Sequence, residues 1–385
     1  MPKDSAHRLQ GLVLSDIRNM TRLCNEAGGI NLGQGLCEMP MPQPIKDATI
    51  AAVNDGRASY SYAEGIVELR QAIAKKLRED NGIEADPESE ITVSVGSAGA
   101  FTDVLHGLLD PGDGIIIFEP YYGYHLNAAI VSGLDPQFVE LKPPEFRFTE
   151  EMLEATVSEN TRAILICTPS NPSGKMFDQQ ELELLARFAH RHDLLVITDE
   201  IYEYIRYDDR PHISPATVGD LGSRTVTIMG VSKTFSMTGW RLGYAVAPAA
   251  MAKSLNLIND LYSICAPTPL QHGVVAGFSL PRSFFDGLKD AYATKRTMIC
   301  DALDACGMSP VVPQGAYYVL ADISSFGYGT AKEAALALLA QTKVAAIPGS
   351  AFYRGETGET LLRFCFAADD GPLAEACKRI ATFKS

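Results

Sequence analysis

Residues 163–198 read AILICTPSNPSGKMFDQQELELLARFAHRHDLLVIT. The runs AILIC (163–167) and LLVIT (194–198) are short, continuous in apolar character and rich in Ile, Leu and Val, and they predict strands buried on both faces. Between them, QQELELLARFAHRHD (179–193) spaces its apolar residues at the helical period. Strand, helix and strand in that order imply a crossover between parallel strands.

The pattern extends outward in both directions. ITVSVG (91–96), GIIIF (114–118), TVTIMG (225–230) and GYAVAP (243–248) repeat the strand texture, ELRQAIAKKLRED (68–80) the helical one, and DPGD (110–113) is a turn before a strand. We therefore expect an α/β fold with a mainly parallel central sheet and helices on both faces. From about Pro281 the texture changes: a long helical run, FFDGLKDAYATKRTMICDALDAC (284–306), is followed by short strands around AYYVLADI (316–323) and the helix-like KEAALALLAQTK (332–343). This suggests a smaller α+β lobe. The expected organisation is an N-terminal segment over 1–45 that joins the smaller lobe, a large lobe over 46–285 and a small C-terminal lobe over 286–385.

Bulk properties narrow the function. With 385 residues, 46% hydrophobic and 21% charged, the chain has the composition of an ordinary globular protein and not of a disordered, collagenous or disulfide-scaffold one. Its net charge of −14 repels nucleic acid and anionic membrane surfaces, while leaving room for a local cationic pocket. The eight cysteines form no CxxC pair and no ligand-like spacing with histidine, which suggests reduced, structural thiols. The N-terminus lacks the apolar core of a signal peptide and no window approaches the ~18 apolar residues of a membrane span, so a cytoplasmic protein is expected. His190 and His192 do not share a helical face, and no metal site is expected. GxGxxG, GxxxxGK and GxSxG are all absent.

Polar residues gather at the strand ends. TPSNPSG follows 163–167, DEIYEY follows 194–198, GVSK follows the strand at 225–228, and GSAGA closes 91–95. Open parallel sheets bind ligands outside the carboxyl ends of their strands, so four loops converge on one rim. GSAGAF (96–101) is a small-residue turn into a helix whose free N–H groups suit a phosphate, although a tight packing turn reads equally well. In GVSKTFSMTGWRLG (230–243), Lys233 follows a buried strand and Arg241 comes eight residues later in a Gly-flanked turn. A desolvated lysine beside a second cation loses its proton readily and becomes a nucleophile toward an aldehyde. The arginine fork can hold a phosphate in two parallel hydrogen bonds.

The stretch 230–243 resembles the lysine signature of the fold type I, class I/II pyridoxal-phosphate aminotransferases. NLGQG (31–35), YSYAEGIVELRQAIA (60–74), EPYYGY (119–124), NPSG (171–174), DEIY (199–202), GAYY (315–318), PGSAFY (348–353) and LRFCFA (362–367) follow in family order over essentially the whole chain. The resemblance implies pyridoxal 5'-phosphate as cofactor, held by Lys233 as a Schiff base, with the same lysine shuttling a proton at the substrate. It implies Asp199 against the pyridine nitrogen, Tyr202 and Asn171 on the 3′ oxygen and Tyr122 stacked on the ring. Around the phosphate it implies the backbone of Ser97 and Ala98, the guanidinium of Arg241, and a Tyr60 hydroxyl reaching over from a second subunit, hence a homodimer with shared active sites. Arg363 would clamp the substrate α-carboxylate, with Asn171 and the main chain of Gly35 beside it.

One position departs from the common pattern. Many members carry serine three residues before the lysine, and this chain has Gly230, so either one phosphate hydrogen bond is absent or Ser232 supplies it. The implied reaction is transfer of an amino group between an L-amino acid and a 2-oxo acid by a ping-pong mechanism. With no second arginine motif for a distal carboxylate, a neutral or aromatic amino acid is preferred over aspartate. A carbon–sulfur β-lyase on the same scaffold is the alternative.

Overall fold

A computed structural model describes residues 5–9, 12 and 16–384 of the chain, so part of the segment 1–45 lies outside the described residues. Strand β1 (Ile30–Asn31) stands apart from the main sheet. β2 (Ile91–Ser94), β3 (Gly114–Glu119), β4 (Asp135–Glu140), β5 (Thr161–Cys167), β6 (Leu195–Asp199), β7 (Thr225–Gly230) and β8 (Gly243–Val246) form a seven-stranded sheet in the order β2-β8-β7-β6-β5-β3-β4. β9 (Ser309–Val311), β10 (Tyr318–Asp322), β12 (Ile347–Pro348) and β13 (Leu361–Cys365) form an antiparallel sheet in the order β12-β13-β10-β9. β11 (Val344–Ala345) pairs in parallel with β1, tying the N-terminal region to the C-terminal one.

The expected mainly parallel α/β sheet is present. β8 alone runs antiparallel to its neighbours β7 and β2, because the segment between β7 and β8 turns back without a crossover helix. Burial on both faces explains the continuous apolar runs: in β5, Ile164 and Ile166 enter one core cluster while Ala163 and Leu165 enter the other. The helix Gln179–Arg191 begins with a capping box in which the Asp178 side chain accepts from the Glu181 amide and the Glu181 side chain from the Asp178 amide. Its Leu182, Leu185, Phe188 and Ala189 are buried in the core at helical spacing.

The change of texture near residue 281 coincides with the 25-residue helix Arg282–Cys306, closed by Gly307 at φ +91°. This helix leads into the antiparallel sheet, whose β10 and β13 contribute side chains to a cavity at the carboxyl ends of β5, β6 and β7. Among the described residues no helix is long and apolar enough to cross a membrane.

Candidate active site

β5, β6 and β7 end side by side. Their register sets Cys167 opposite Asp199 and Asp199 opposite Ile228, so the polar residues that follow each strand emerge on one rim. There a cavity of about 470 Å³ is lined by Gly35, Ser97, Ala98, Tyr122 and Asn171, together with Asp199, Tyr202, Lys233, Arg241 and Arg363. Ten of the residues singled out in the sequence thus meet in one place, although they span positions 35 to 363. Tyr60 is not brought there by the single chain; it is 78% exposed.

Lys233 lies in the single helical turn Val231–Thr234 directly after β7. Its Nζ donates to the carbonyl of Gly35 at 3.0 Å, and no carboxylate of the described residues lies within ion-pair distance. Burial pulls its pKa below the ordinary lysine value, and the charge of Arg241 acts in the same direction while Asp199 opposes it. Such an amine spends more of its time uncharged than a surface lysine does.

Asp199, the last residue of β6, is buried. Its Oδ2 lies 3.0 Å from Nε2 of His125 and its Oδ1 accepts from the Ile201 amide at 3.2 Å. His125 sits on the helix Gly123–Val131, edge-on to Tyr122 with ring centroids 5.2 Å apart. Sequence reasoning missed His125. The available signal was its place one helical turn after Tyr122.

Arg363 on β13 is 1% exposed and faces no carboxylate among the described residues. Nη1 donates to Oδ1 of Asn171 at 2.8 Å and Nη2 to the carbonyl of Gly33 at 2.5 Å, while Nε is buried without a partner. The guanidinium lies between the rings of Tyr318 at 4.5 Å and Phe352 at 4.6 Å. A buried cation with only neutral partners is matched to an incoming carboxylate.

Another part of the cavity wall is built for an anion. The helix Gly96–Leu108 opens there with Ser97 and Ala98 in its first turn, so unpaired amides and the positive end of the helix dipole meet at one point. Close approach requires glycine: a Cβ on Gly96 would lie 2.5 Å from Nη2 of Arg241, and one on Gly243 would lie 2.4 Å from the Ser97 nitrogen. Arg241 is itself held at φ +57° and anchored by Nη1 to the carbonyl of Thr238 at 3.0 Å. A Cβ on Gly230 would meet Ile201 at 2.9 Å, whereas Ser232 lies on the cavity wall. The site therefore offers an amide-and-guanidinium cradle, an aromatic shelf in Tyr122, a buried carboxylate and a lysine with no ion-pair partner among the described residues, which together fit a flat aromatic group bearing an anionic tail and an aldehyde.

A family model described as Aminotransferase class I and II matches residues 27–380. The aspartate aminotransferase of Pyrococcus abyssi is 37% identical over 354 residues, covering 91% of this chain and 90% of that protein. The aromatic-amino-acid aminotransferase 2 of Thermococcus litoralis is 34% identical and covers 97% of this chain and 96% of its own. A solved structure from Escherichia coli, described as identifying a methionine aminotransferase function, superposes with a TM-score of 0.95 at 30% identity, covering 99% of this chain and 100% of that one.

Proposed function

The chain belongs to the class I and II aminotransferases, enzymes that work with pyridoxal phosphate, and we propose that it exchanges the amino group of an L-amino acid bearing a neutral or aromatic side chain with a 2-oxo acid in two half-reactions at one site. The observation that carries this reading is the half-buried amine of Lys233, with no carboxylate of the described residues at ion-pair distance, in one cavity with an anion cradle and a second arginine clamp. When bound, pyridoxal phosphate supplies an aldehyde for the amine and an electron-accepting ring for the pair left at the substrate Cα.

The protein's own groups do the rest. Lys233 holds the cofactor and moves a proton at the substrate Cα. Asp199, backed by His125, keeps the ring nitrogen protonated. Tyr122 would cover one face of the bound ring, and Tyr202 with Asn171 would bond its oxygen. The amides of Ser97 and Ala98 would hold the phosphate together with Arg241, and Ser232 would add the hydroxyl that Gly230 does not offer. Arg363 receives the substrate carboxylate as a bidentate fork, and the main chain of Gly35 closes beside it.

Substrate preference follows from the charge inventory of the cavity. Its lysine and two arginines each have a use, and the wall beside them carries Ile17, Leu36 and Tyr124, with no further lysine or arginine among the described lining residues. A homodimer with Tyr60 crossing to the neighbouring phosphate is supported by an apolar surface that includes Tyr60, Tyr62, Leu257 and Leu261, each at least 66% exposed. Side chains from both sheets line the cavity, which supports a large lobe over 46–285, a small one over 286–385 and a joining segment over 1–45.

Two measurements test the proposal. Borohydride reduction followed by peptide mapping should place the cofactor on Lys233; a label elsewhere overturns the site. A panel of amino donors against one common 2-oxo acid should rank phenylalanine, tyrosine or methionine above aspartate by tenfold or more. Aspartate in first place overturns the substrate class, and pyruvate with ammonia released from a cysteine conjugate without acceptor replaces transamination by elimination.

A further inference from the structure

Tyr318 on β10 touches three parts of the site at once. Its hydroxyl lies 3.2 Å from that of Tyr202, and its ring covers the guanidinium of Arg363 at 4.5 Å. Its hydroxyl also fills the space over Gly35, where a Cβ would come within 1.9 Å of it. The side chain is 2% exposed and lines the cavity. No role assigned so far uses it.

Both phenols are buried and burial pushes each pKa well above the ordinary tyrosine range, so each keeps its proton throughout the neutral range. Two protonated hydroxyls that share one hydrogen bond make one donor and one acceptor between them. When Tyr318 donates, the proton of Tyr202 is left free to point into the cavity, and a hydroxyl that accepts a bond donates a stronger one. We propose that Tyr318 is a positioning residue that acts through Tyr202, strengthening its hydrogen bond to the cofactor's ring oxygen, while its ring caps Arg363 and holds the fork in the plane that receives the substrate carboxylate. The two ends of the substrate site are thereby joined through one side chain.

This inference rests on the cofactor and substrate orientation proposed above, and the two can fail separately. The test is a spectrophotometric pH titration of the bound cofactor in the wild-type holoenzyme, Tyr318→Phe, Tyr202→Phe and the double variant. A weaker donor lets the ring oxygen regain its proton at higher pH, so Tyr318→Phe should raise the midpoint by about 0.3 pH unit. In the Tyr202→Phe background the same change should add nothing. A titrating band that Tyr318→Phe leaves in place, or moves equally in both backgrounds, overturns the coupling alone. A protein with no lysine-dependent band overturns the cofactor assignment and this inference together.

The ring's part is read by binding of an unreactive carboxylate, 3-phenylpropanoate, followed as a change in the visible spectrum. Tyr318→Phe keeps the ring and should bind it within twofold of wild type. Tyr318→Leu removes the aromatic face and should bind it about fivefold more weakly. Equal binding by wild type and the Leu variant overturns the capping role.

Discussion

Nε2 of His125 lies 3.0 Å from Oδ2 of Asp199, and both side chains are buried at the floor of the cavity. The second carboxylate oxygen is held by the Ile201 amide at 3.2 Å, so the carboxylate is fixed in orientation from two sides. A negative charge so placed can keep a neighbouring ring nitrogen protonated, whereas an amide of the same shape cannot. Asp199→Asn should therefore retain the cofactor, judged by its visible absorption, and lose at least about 100-fold in kcat. His125→Asn should lose less, about 10-fold, because the carboxylate remains. Near-normal turnover in Asp199→Asn would remove the charge from the mechanism.

The Arg363 fork makes its two hydrogen bonds to Asn171 and Gly33 and faces no carboxylate among the described residues. Lysine would keep the charge but replace a planar pair of donors with one point. For Arg363→Lys we expect kcat/KM for the amino donor to fall about 10- to 100-fold, the range of one charge-assisted hydrogen bond, and mainly through KM. Cofactor content should not change. An unaltered KM would place the carboxylate elsewhere.

Much of this site is legible in the amino-acid sequence. β5, the helix Gln179–Arg191 and β6 announce themselves because Ile164 and Leu165 are buried on opposite faces, which writes a continuous apolar run, and because Leu182, Leu185, Phe188 and Ala189 recur at the helical period. β4, DPQFVE, stayed illegible: it is an edge strand with only Val139 buried, so it carries neither a run nor a clean alternation. His125 was hidden for a different reason. Its partner is 74 positions away, and its place one helical turn after Tyr122 puts it near the site without distinguishing contact with a carboxylate from ordinary packing. Tyr318 lay inside a recognised motif, yet its meaning depends on Tyr202, 116 positions earlier.

Gly35 tests how tightly the clamp is packed. A methyl there would meet the Tyr318 hydroxyl at 1.9 Å and the ring carbon behind it at 2.9 Å, while Arg363 under the Tyr318 ring limits its retreat. Gly35→Ala should cost about 1 to 3 kcal/mol of stability and displace the Lys233 contact, since Gly35 supplies the carbonyl that receives Nζ. Adding Tyr318→Phe removes the closest atom and should recover part of that loss. Thermal melts of the single and double variants decide it; equal midpoints for wild type and Gly35→Ala would mean that the loop yields.

The helix that opens the anion cradle also carries a buried carboxyl with no cation beside it. Asp103 is 3% exposed, its Oδ2 has no hydrogen-bond partner among the described residues, and burial raises its pKa from 3.8 to about 7. A folded-state pKa above the unfolded one means that the native protein holds the extra proton between about pH 4 and 7. The stabilising advantage of the neutral form is complete below the unfolded value and is lost as pH rises through 7, after which the curve is flat. Asp103→Asn keeps the shape and cannot ionise, so its stability should not fall across that window. The variant and wild type should match near pH 4 and diverge toward pH 8, with the variant ahead by on the order of 4 kcal/mol when the full shift is expressed. Denaturation midpoints taken from pH 4 to 9 read this directly, and parallel curves for the two proteins would show that Asp103 titrates in the fold at its unfolded value and gains no proton on folding.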